Sequence, residues 1–216
     1  MITKTSKEPK FRRRAEARPD EVLDAALSLF TEKGYARTTV DQVAKRAGFS
    51  KGTVYLYFAS KEAILEGLVQ RTVEPIAEAA FETMTHYRGD PHPVLAQFLR
   101  AMAQAMAEPR TRAVTIIILQ EAATAPNIAA LYRKSVLDRA LPAMTALLTQ
   151  GVAGGHIRSI DPELTARSVI GPVIAHLLLS EIFGVHPEGG LQMDRLVENH
   201  LTLLFAGLEP DKGDAP

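Results

Sequence analysis

Residues 38–58 read TTVDQVAKRAGFSKGTVYLYF. Two short helices joined by a tight turn are written into this stretch. Thr39, with Gln42 three residues on, is a capping box, in which the threonine hydroxyl and the glutamine amide each serve a backbone N–H of the other. Val40, Val43, Ala44 and Ala47 then recur at the helical spacing i, i+3, i+4, i+7. Gly48 closes this helix, because glycine takes the left-handed conformation at a helix end without strain. Only Phe49 separates it from Ser50, the next capping residue, which opens a helix predicted over residues 51–58. Two helices with so short a glycine-containing turn make the helix-turn-helix outline.

The flanks extend the helical pattern. Pro19, Asp20 and Glu21 suit a helix start. Val22, Ala26, Leu29 and Phe30 follow at i, i+4, i+7, i+8, with Leu23 and Leu27 widening the stripe, and Gly34 ends it. Ser60 caps a longer helix predicted from Lys61 to about Tyr87. More helices are expected near 92–107, 110–123, 127–150, 162–183 and 192–208, with Gly171-Pro172 predicting a kink or interruption in the fourth of these. No segment alternates convincingly with period 2. The expected fold is all-α: an N-terminal three-helix DNA-binding domain with the helix-turn-helix, followed by a larger helical ligand-binding and dimerisation domain. The expected boundaries are a flexible basic arm over 1–18, the DNA-binding domain over 19–65, the regulatory domain over 66–209 and a flexible tail over 210–216.

The chain has 216 residues, 46% hydrophobic and 23% charged, which is enough for a core without staples. It has no cysteine, which removes disulfides, thiolate metal sites and cysteine nucleophiles. The first residues, MITKTSKEPKFRRR, lack the apolar run of a secretory leader. The richest apolar stretch, Val169 to Leu179, falls well short of the roughly 20 residues a membrane span needs. A cytoplasmic protein with no membrane partner is therefore expected. The formal net charge is zero, yet residues 1–61 carry 13 Lys/Arg against 7 Asp/Glu, and the remainder 12 against 18. Such a split suggests a basic module for nucleic acid joined to an acidic remainder.

On a helical wheel the second helix of the pair places Val54 and Phe58 on one side as the core face, with Gly52 and Leu56 opposite. Lys51 and Tyr55 fall on one flank, Thr53 and Tyr57 on the other. A helix of this layout suits the DNA major groove. Gly52 lets the backbone approach base edges, and Leu56 can meet a thymine methyl. Lys51 can reach a guanine edge or a phosphate. The hydroxyls of Thr53, Tyr55 and Tyr57 can hold the phosphate walls, and Ser50 with the first N–H groups can bind another phosphate. In isolation, Tyr55, Leu56 and Tyr57 read as ordinary packing; the basic arm, the short turn and the flanking lysines favour DNA.

The stretches DEVLDAALSLFTEKGY (20–35), TTVDQVAKRAGFSKGTVYLYF (38–58) and SKEAIL (60–65) resemble the DNA-binding domain of the TetR/AcrR bacterial repressors. The resemblance is close over about 50 residues and one of layout only beyond Leu68. It implies that Ser50, Lys51, Gly52, Thr53, Tyr55 and Tyr57 line DNA and that Lys61 touches a phosphate; Thr39, capping the preceding helix, is counted with them. At Asp41 some members carry a basic residue that reads DNA, and no such role passes to an aspartate. The resemblance further implies a homodimeric, ligand-responsive repressor. It would bind a near-palindromic operator in double-stranded DNA and leave it when a small molecule, whose identity stays open, binds the C-terminal domain. The helix from Lys61 to Tyr87 would be the lever. A DNA-binding protein without a sensor is the alternative.

In the C-terminal part, Val197, Leu201, Leu204, Phe205 and Leu208 form one stripe. The preceding helix is apolar on two sides, with Ile170, Val173, Ile174, Leu177 and Leu178 on one and Val169, His176, Ser180 and Phe183 on the other. A helix apolar on two sides must bury both. The dimer interface is therefore expected at Val173, Leu177, Val197, Leu201, Leu204 and Phe205, the alternative being burial within one chain. For a ligand, Phe81, Phe98, Met102 and Met106 offer adaptable apolar surface. Glu121 and His176 are polar residues inside apolar runs. These six are the candidate ligand-binding residues, with core packing as the competing role. His86, Asp90 and His92 lack regular ligand spacing, so no metal is expected, and no cofactor is implied. There is no GxGxxG, Walker A, GxSxG or HExxH pattern, and GVAGG (151–155) follows a helix rather than a strand, so an enzyme is not expected.

Overall fold

The computed structural model describes residues 18–210. Apart from Arg18, the expected basic arm lies outside them, as does the tail from residue 211. The described residues form helices and connecting turns, with no strand among them. The chain divides into two compact units, the first ending at Leu68 and the second beginning at Val69.

The first unit holds α1 (Arg18–Lys33), α2 (Val40–Ala47), α3 (Lys51–Tyr55) and the start of α4 (Lys61–Thr72). Asp20 and Glu21 stand in the first turn of α1, where carboxylates offset the helix dipole. Val22, Ala26, Leu29 and Phe30 of α1 pack with Val43, Val54, Ile64, Leu65 and Leu68 as the core. The buried Thr38 hydroxyl donates to the Gly34 carbonyl at 2.9 Å, satisfying the end of α1. The capping box of α2 is reciprocal: Gln42 N–H reaches the Thr39 hydroxyl at 3.3 Å, and Thr39 N–H reaches the Gln42 amide oxygen at 3.0 Å. Gly48 follows with φ 74° in the left-handed region, its N–H turned back to the helix end. Arg46 forks onto the Glu32 carboxylate with both contacts at 2.8 Å, tying α2 to α1.

Helix α3 is shorter than predicted. Beyond Tyr55 the chain goes on in tighter turns, with Tyr57 N–H on the Val54 carbonyl at 3.0 Å, until Phe58 reaches Gly67 of α4. A Cβ at Gly67 would lie 2.9 Å from the Phe58 ring and 3.1 Å from Leu23, so only glycine lets the three elements come this close.

The second unit contains α5 (Glu74–His86), α6 (His92–Ala107), α7 (Pro109–Glu121), α8 (Pro126–Tyr132), a π-helical turn over Arg133–Leu137, α9 (Asp138–Ala153), α10 (Pro162–Leu177), a second π-helical turn over Leu178–Ile182, and α11 (Met193–Leu208). The helix expected to run unbroken from Lys61 to Tyr87 is two helices, α4 and α5. Pro75 has no N–H to offer the Arg71 carbonyl and its ring crowds the preceding turn, so the helix ends and restarts around Val73. The expected helix over 127–150 carries its π-helical turn just upstream of Pro142, where one wider turn accommodates a residue that cannot bond back to Asp138. At Gly171-Pro172 no interruption occurs. The carbonyl that Pro172 leaves without a helical partner belongs to Ser168, on the exposed side of α10.

Leu95 and Leu99 of α6, Met144 and Leu148 of α9, Val169, Val173 and Leu177 of α10, and Val197 and Leu201 of α11 form the second core. Bidentate ion pairs brace its outside: Arg139 with Glu78, and Arg100 with Glu198 at 2.6 and 3.0 Å.

The residues expected at the dimer interface lie in this core. Val173, Leu177 and Val197 are fully buried, Leu201 and Leu204 nearly so, and Phe205 is half-buried with the His92 ring edge-on at 4.6 Å. Five of these six are covered by their own chain, which leaves them little surface to offer a second one, while Phe205 keeps some. What the same segments leave exposed is the opposite side. Leu164 is 60% exposed, Phe183 69% and Leu203 65%, with Leu179 and Ile182 also open to solvent.

Candidate nucleic-acid interface and ligand cavity

The first unit presents the residues singled out around α3 largely on its surface. The Ser50 hydroxyl accepts the Thr53 N–H at 3.1 Å and lies 2.8 Å from the Thr53 hydroxyl, so the helix start is capped and carries two paired hydroxyls outward. Lys51 and Gly52 are exposed, and the Lys51 ammonium stands 6.0 Å from the centre of the Tyr55 ring. Tyr55 and Tyr57 are exposed, while Val54 just before them is fully buried and anchors the helix. Leu56 is 82% exposed, the most open large apolar side chain of the described residues. A well-packed core thus holds two tyrosines, a leucine, a lysine and two hydroxyls toward solvent over eight residues.

Two of the expected DNA contacts are committed elsewhere in part. The Thr39 hydroxyl serves the capping box of α2. Lys61 is half-buried rather than extended. Its ammonium donates to the carbonyls of Tyr35 at 2.8 Å and Ala36 at 3.2 Å, and lies 4.2 Å from the centre of the Tyr35 ring. No local pattern signals this, because the contacts join residues 25 and 26 positions apart.

The second unit encloses a cavity of about 410 Å³, within the range of pockets that hold drug-sized molecules. Ile76, Ala80 and Phe81 of α5 line it, with Phe98, Met102 and Met106 of α6, Thr115 and Ile118 of α7, Tyr132 at the end of α8, and Ile170 and Ile174 of α10. Phe81, Phe98, Met102 and Met106 are therefore brought together as expected of a ligand site. Glu121 and His176 are not. The cavity face of α7 runs through Thr111, Thr115, Ile118 and Ala122, and Glu121 falls off that stripe by one helical step. His176 is turned from Ile170 and Ile174 and bonds through Nε2 to the Leu191 carbonyl, beside a separate polar hollow with Arg195 and Asn199.

The polar groups in the cavity wall are few. Thr115 donates to the Thr111 carbonyl at 3.0 Å. Thr111 offers its N–H to the Glu108 carboxylate at 2.6 Å, which caps α7. Burial would push the Glu108 carboxyl up, but the Thr111 and Arg110 N–H groups and the Thr111 hydroxyl outweigh it and hold it below its ordinary value. Tyr132 is one of several lining residues that were not expected there. Burial pushes its phenol up, so it stays protonated. A lone tyrosine at a helix end carries no pattern that would have marked it.

His86, Asp90 and His92 do not converge: Asp90 bonds the His92 ring at 2.6 Å, while His86 turns to the Glu82 carbonyl at 2.9 Å. Among the described residues no group of three metal-ligating side chains occurs, and no helix is long and apolar enough to cross a membrane.

Comparison with known proteins agrees with this layout. The profile of bacterial regulatory proteins of the tetR family matches residues 22–68, and that of the tetracyclin repressor-like C-terminal domain matches residues 86–182. The uncharacterized HTH-type transcriptional regulator YhgD of Bacillus subtilis (strain 168) is 32% identical over 147 residues, which cover 67% of this chain and 74% of YhgD. The structure of SmeT, the repressor of the Stenotrophomonas maltophilia multidrug efflux pump SmeDEF, superposes with a TM-score of 0.74 at 27% identity, over 94% of this chain and 95% of SmeT. A SmeT–triclosan complex gives 0.76 at 27% identity, over 93% and 95%.

Proposed function

The chain belongs to the TetR family of bacterial regulatory proteins, and from that premise we propose that it is a homodimeric repressor that leaves its operator when a small molecule fills the cavity of the second unit. That it is a DNA-binding transcriptional regulator follows from the family. The observation that carries the finer reading is the coexistence of an outward-facing α3 with a drug-sized, apolar cavity in the same chain. A DNA-binding protein without a sensor would have that space filled with side chains.

In this reading Ser50, Lys51, Gly52, Thr53, Tyr55 and Tyr57 meet DNA. Lys51 and Leu56 read base edges, and the hydroxyls of Ser50, Thr53, Tyr55 and Tyr57 hold phosphates. Two copies related by a two-fold axis read half-sites about 34–36 Å apart, or a multiple of it, so the operator is near-palindromic. The copies meet through the exposed faces of α10 and α11, where Leu164, Leu179, Ile182 and Leu203 are open and a Cβ at Gly171 or Gly207 would touch nothing. The molecule in the cavity acts by binding one of two states more tightly, and shifts DNA affinity only by that difference, typically about 1–3 kcal/mol. No chemical step is involved.

The test is a fluorescence-anisotropy titration against the DNA upstream of the chain's own gene, at two salt concentrations with scrambled competitor. Specific, salt-sensitive binding that weakens in the Tyr55→Phe variant supports the reading. Weak binding without sequence preference, both there and after random-site selection, overturns it.

A further inference from the structure

Resting on the sensor reading above, we infer that the cavity selects an uncharged, mainly apolar molecule carrying one hydrogen-bond acceptor, which the Tyr132 hydroxyl receives. None of the residues lining the cavity is charged. A carboxylate or an ammonium entering it would lose its water and gain no counter-charge, a penalty far larger than the cavity's apolar contacts return. The aromatic walls offer a cation little in exchange, since the Phe81 ring already has the Arg139 guanidinium over it at 5.2 Å, and that guanidinium is paired with Glu78.

What remains is the choice among neutral molecules, and the wall's hydroxyls make it. The Thr115 hydroxyl donates to the Thr111 carbonyl, and the Thr111 hydroxyl serves the Glu108 carboxylate. Tyr132 makes no hydrogen bond to any described residue, although it lies deep enough for burial to push its phenol up. Tyr132 is one of the residues that line the cavity. A phenol set in an otherwise apolar wall offers a ligand one donor, so a molecule that supplies an acceptor there gains a bond that a hydrocarbon of the same shape does not. The site therefore discriminates by polarity twice, against charge through its walls and against pure hydrocarbon through one phenol.

The experiment is calorimetric titration of the full chain with three probes of similar shape: benzophenone, with a carbonyl acceptor; diphenylmethane, with none; and diphenylacetate, an anion. Benzophenone is expected to bind about tenfold more tightly than diphenylmethane. It is also expected to bind at least about tenfold more tightly than diphenylacetate. In Tyr132→Phe the first ratio falls to about one, while diphenylmethane binding is unchanged. Ala101→Phe, which fills the space from α6, removes binding of all three and leaves operator binding in place. A tyrosine variant that keeps the preference for benzophenone overturns the inference, as does an anion that binds as tightly as the ketone, or binding that survives Ala101→Phe. Operator release is read separately by anisotropy. A chain that binds benzophenone with the stated selectivity yet keeps its operator supports the cavity chemistry and refutes ligand-controlled release.

Discussion

The Lys61 ammonium lies 4.2 Å from the centre of the Tyr35 ring and donates to the Tyr35 carbonyl at 2.8 Å. One cation thus satisfies the backbone just after α1 and covers the ring that packs edge-on against Phe30 at 5.0 Å. A lysine that reads as a DNA contact in the sequence is bonded here within its own unit. Lys61→Met should lower the stability of the first unit by about 1–2 kcal/mol, toward the low end for hydrogen bonds from a charged donor because the site is only half-buried. Thermal unfolding measures this. The salt dependence of operator binding should keep its slope; a slope smaller by about 0.9 would return Lys61 to the phosphates.

Lys51→Ala should relax base preference at one position of each half-site, with a loss of about 1–3 kcal/mol there. Competition against a set of single-base operator variants measures it. Uniform weakening across the set would make Lys51 a phosphate contact instead. Tyr55→Phe, lacking only the exposed hydroxyl, should weaken specific and non-specific binding together.

On α11, neighbouring positions separate core from interface. Leu201→Ala should cost about 2–5 kcal/mol of stability, as expected for a buried leucine, and leave the dimer dissociation constant in place. Leu203→Glu, at a side chain 65% exposed, should do the reverse and give monomers in sedimentation equilibrium with little change in monomer stability. A dimer that survives Leu203→Glu places the two-fold contact elsewhere.

The Arg46 fork, with the Ser28 hydroxyl, holds the Glu32 carboxyl at about 2. A carboxyl depressed in the folded state stabilises above its unfolded value and loses that contribution as pH falls toward the folded one. The bonus should therefore be complete near neutrality and fade between about pH 4.5 and 2. Acid unfolding of Glu32→Gln should be less steep across that window than wild type, and added salt should reduce the difference, because the pair is exposed. Identical acid profiles would remove the pair from the account.

Gly67→Ala should destabilise, even though alanine favours helix, because its Cβ meets the Phe58 ring at 2.9 Å. Phe58→Leu in the same chain should recover part of the loss. A single variant more stable than wild type would show that the ring yields easily.

The first unit was largely legible because its signals are local. Thr39 with Gln42, Gly48, and Ser50 each fix a helix end through bonds within three or four residues, and those bonds are present. The second unit was legible as helices but not as faces. The segment from α10 through the second π-helical turn is apolar on two sides, and period 3.6 marks a stripe without saying whether its own chain or another covers it; Val173 and Leu179 look alike in sequence and differ widely in exposure. The cavity's apolar wall was read from bulk and flexibility at Phe98 and Met102. The hydroxyls of its wall, on Thr111, Thr115 and Tyr132, carry no such mark in the sequence, because tertiary packing alone brings them together. The break between α4 and α5 follows from Pro75, which the helical pattern on either side conceals.

Leu56 contributes almost nothing to the packed interior, being 82% exposed, while its neighbour Val54 is fully enclosed. Exchange at position 56 therefore leaves folding nearly untouched and alters only what the protein meets outside itself. Under the proposed reading, in which Leu56 meets a base, operator preference can change at this one tip with little cost to folding, whereas any change at Val54 is tried against the packed core first.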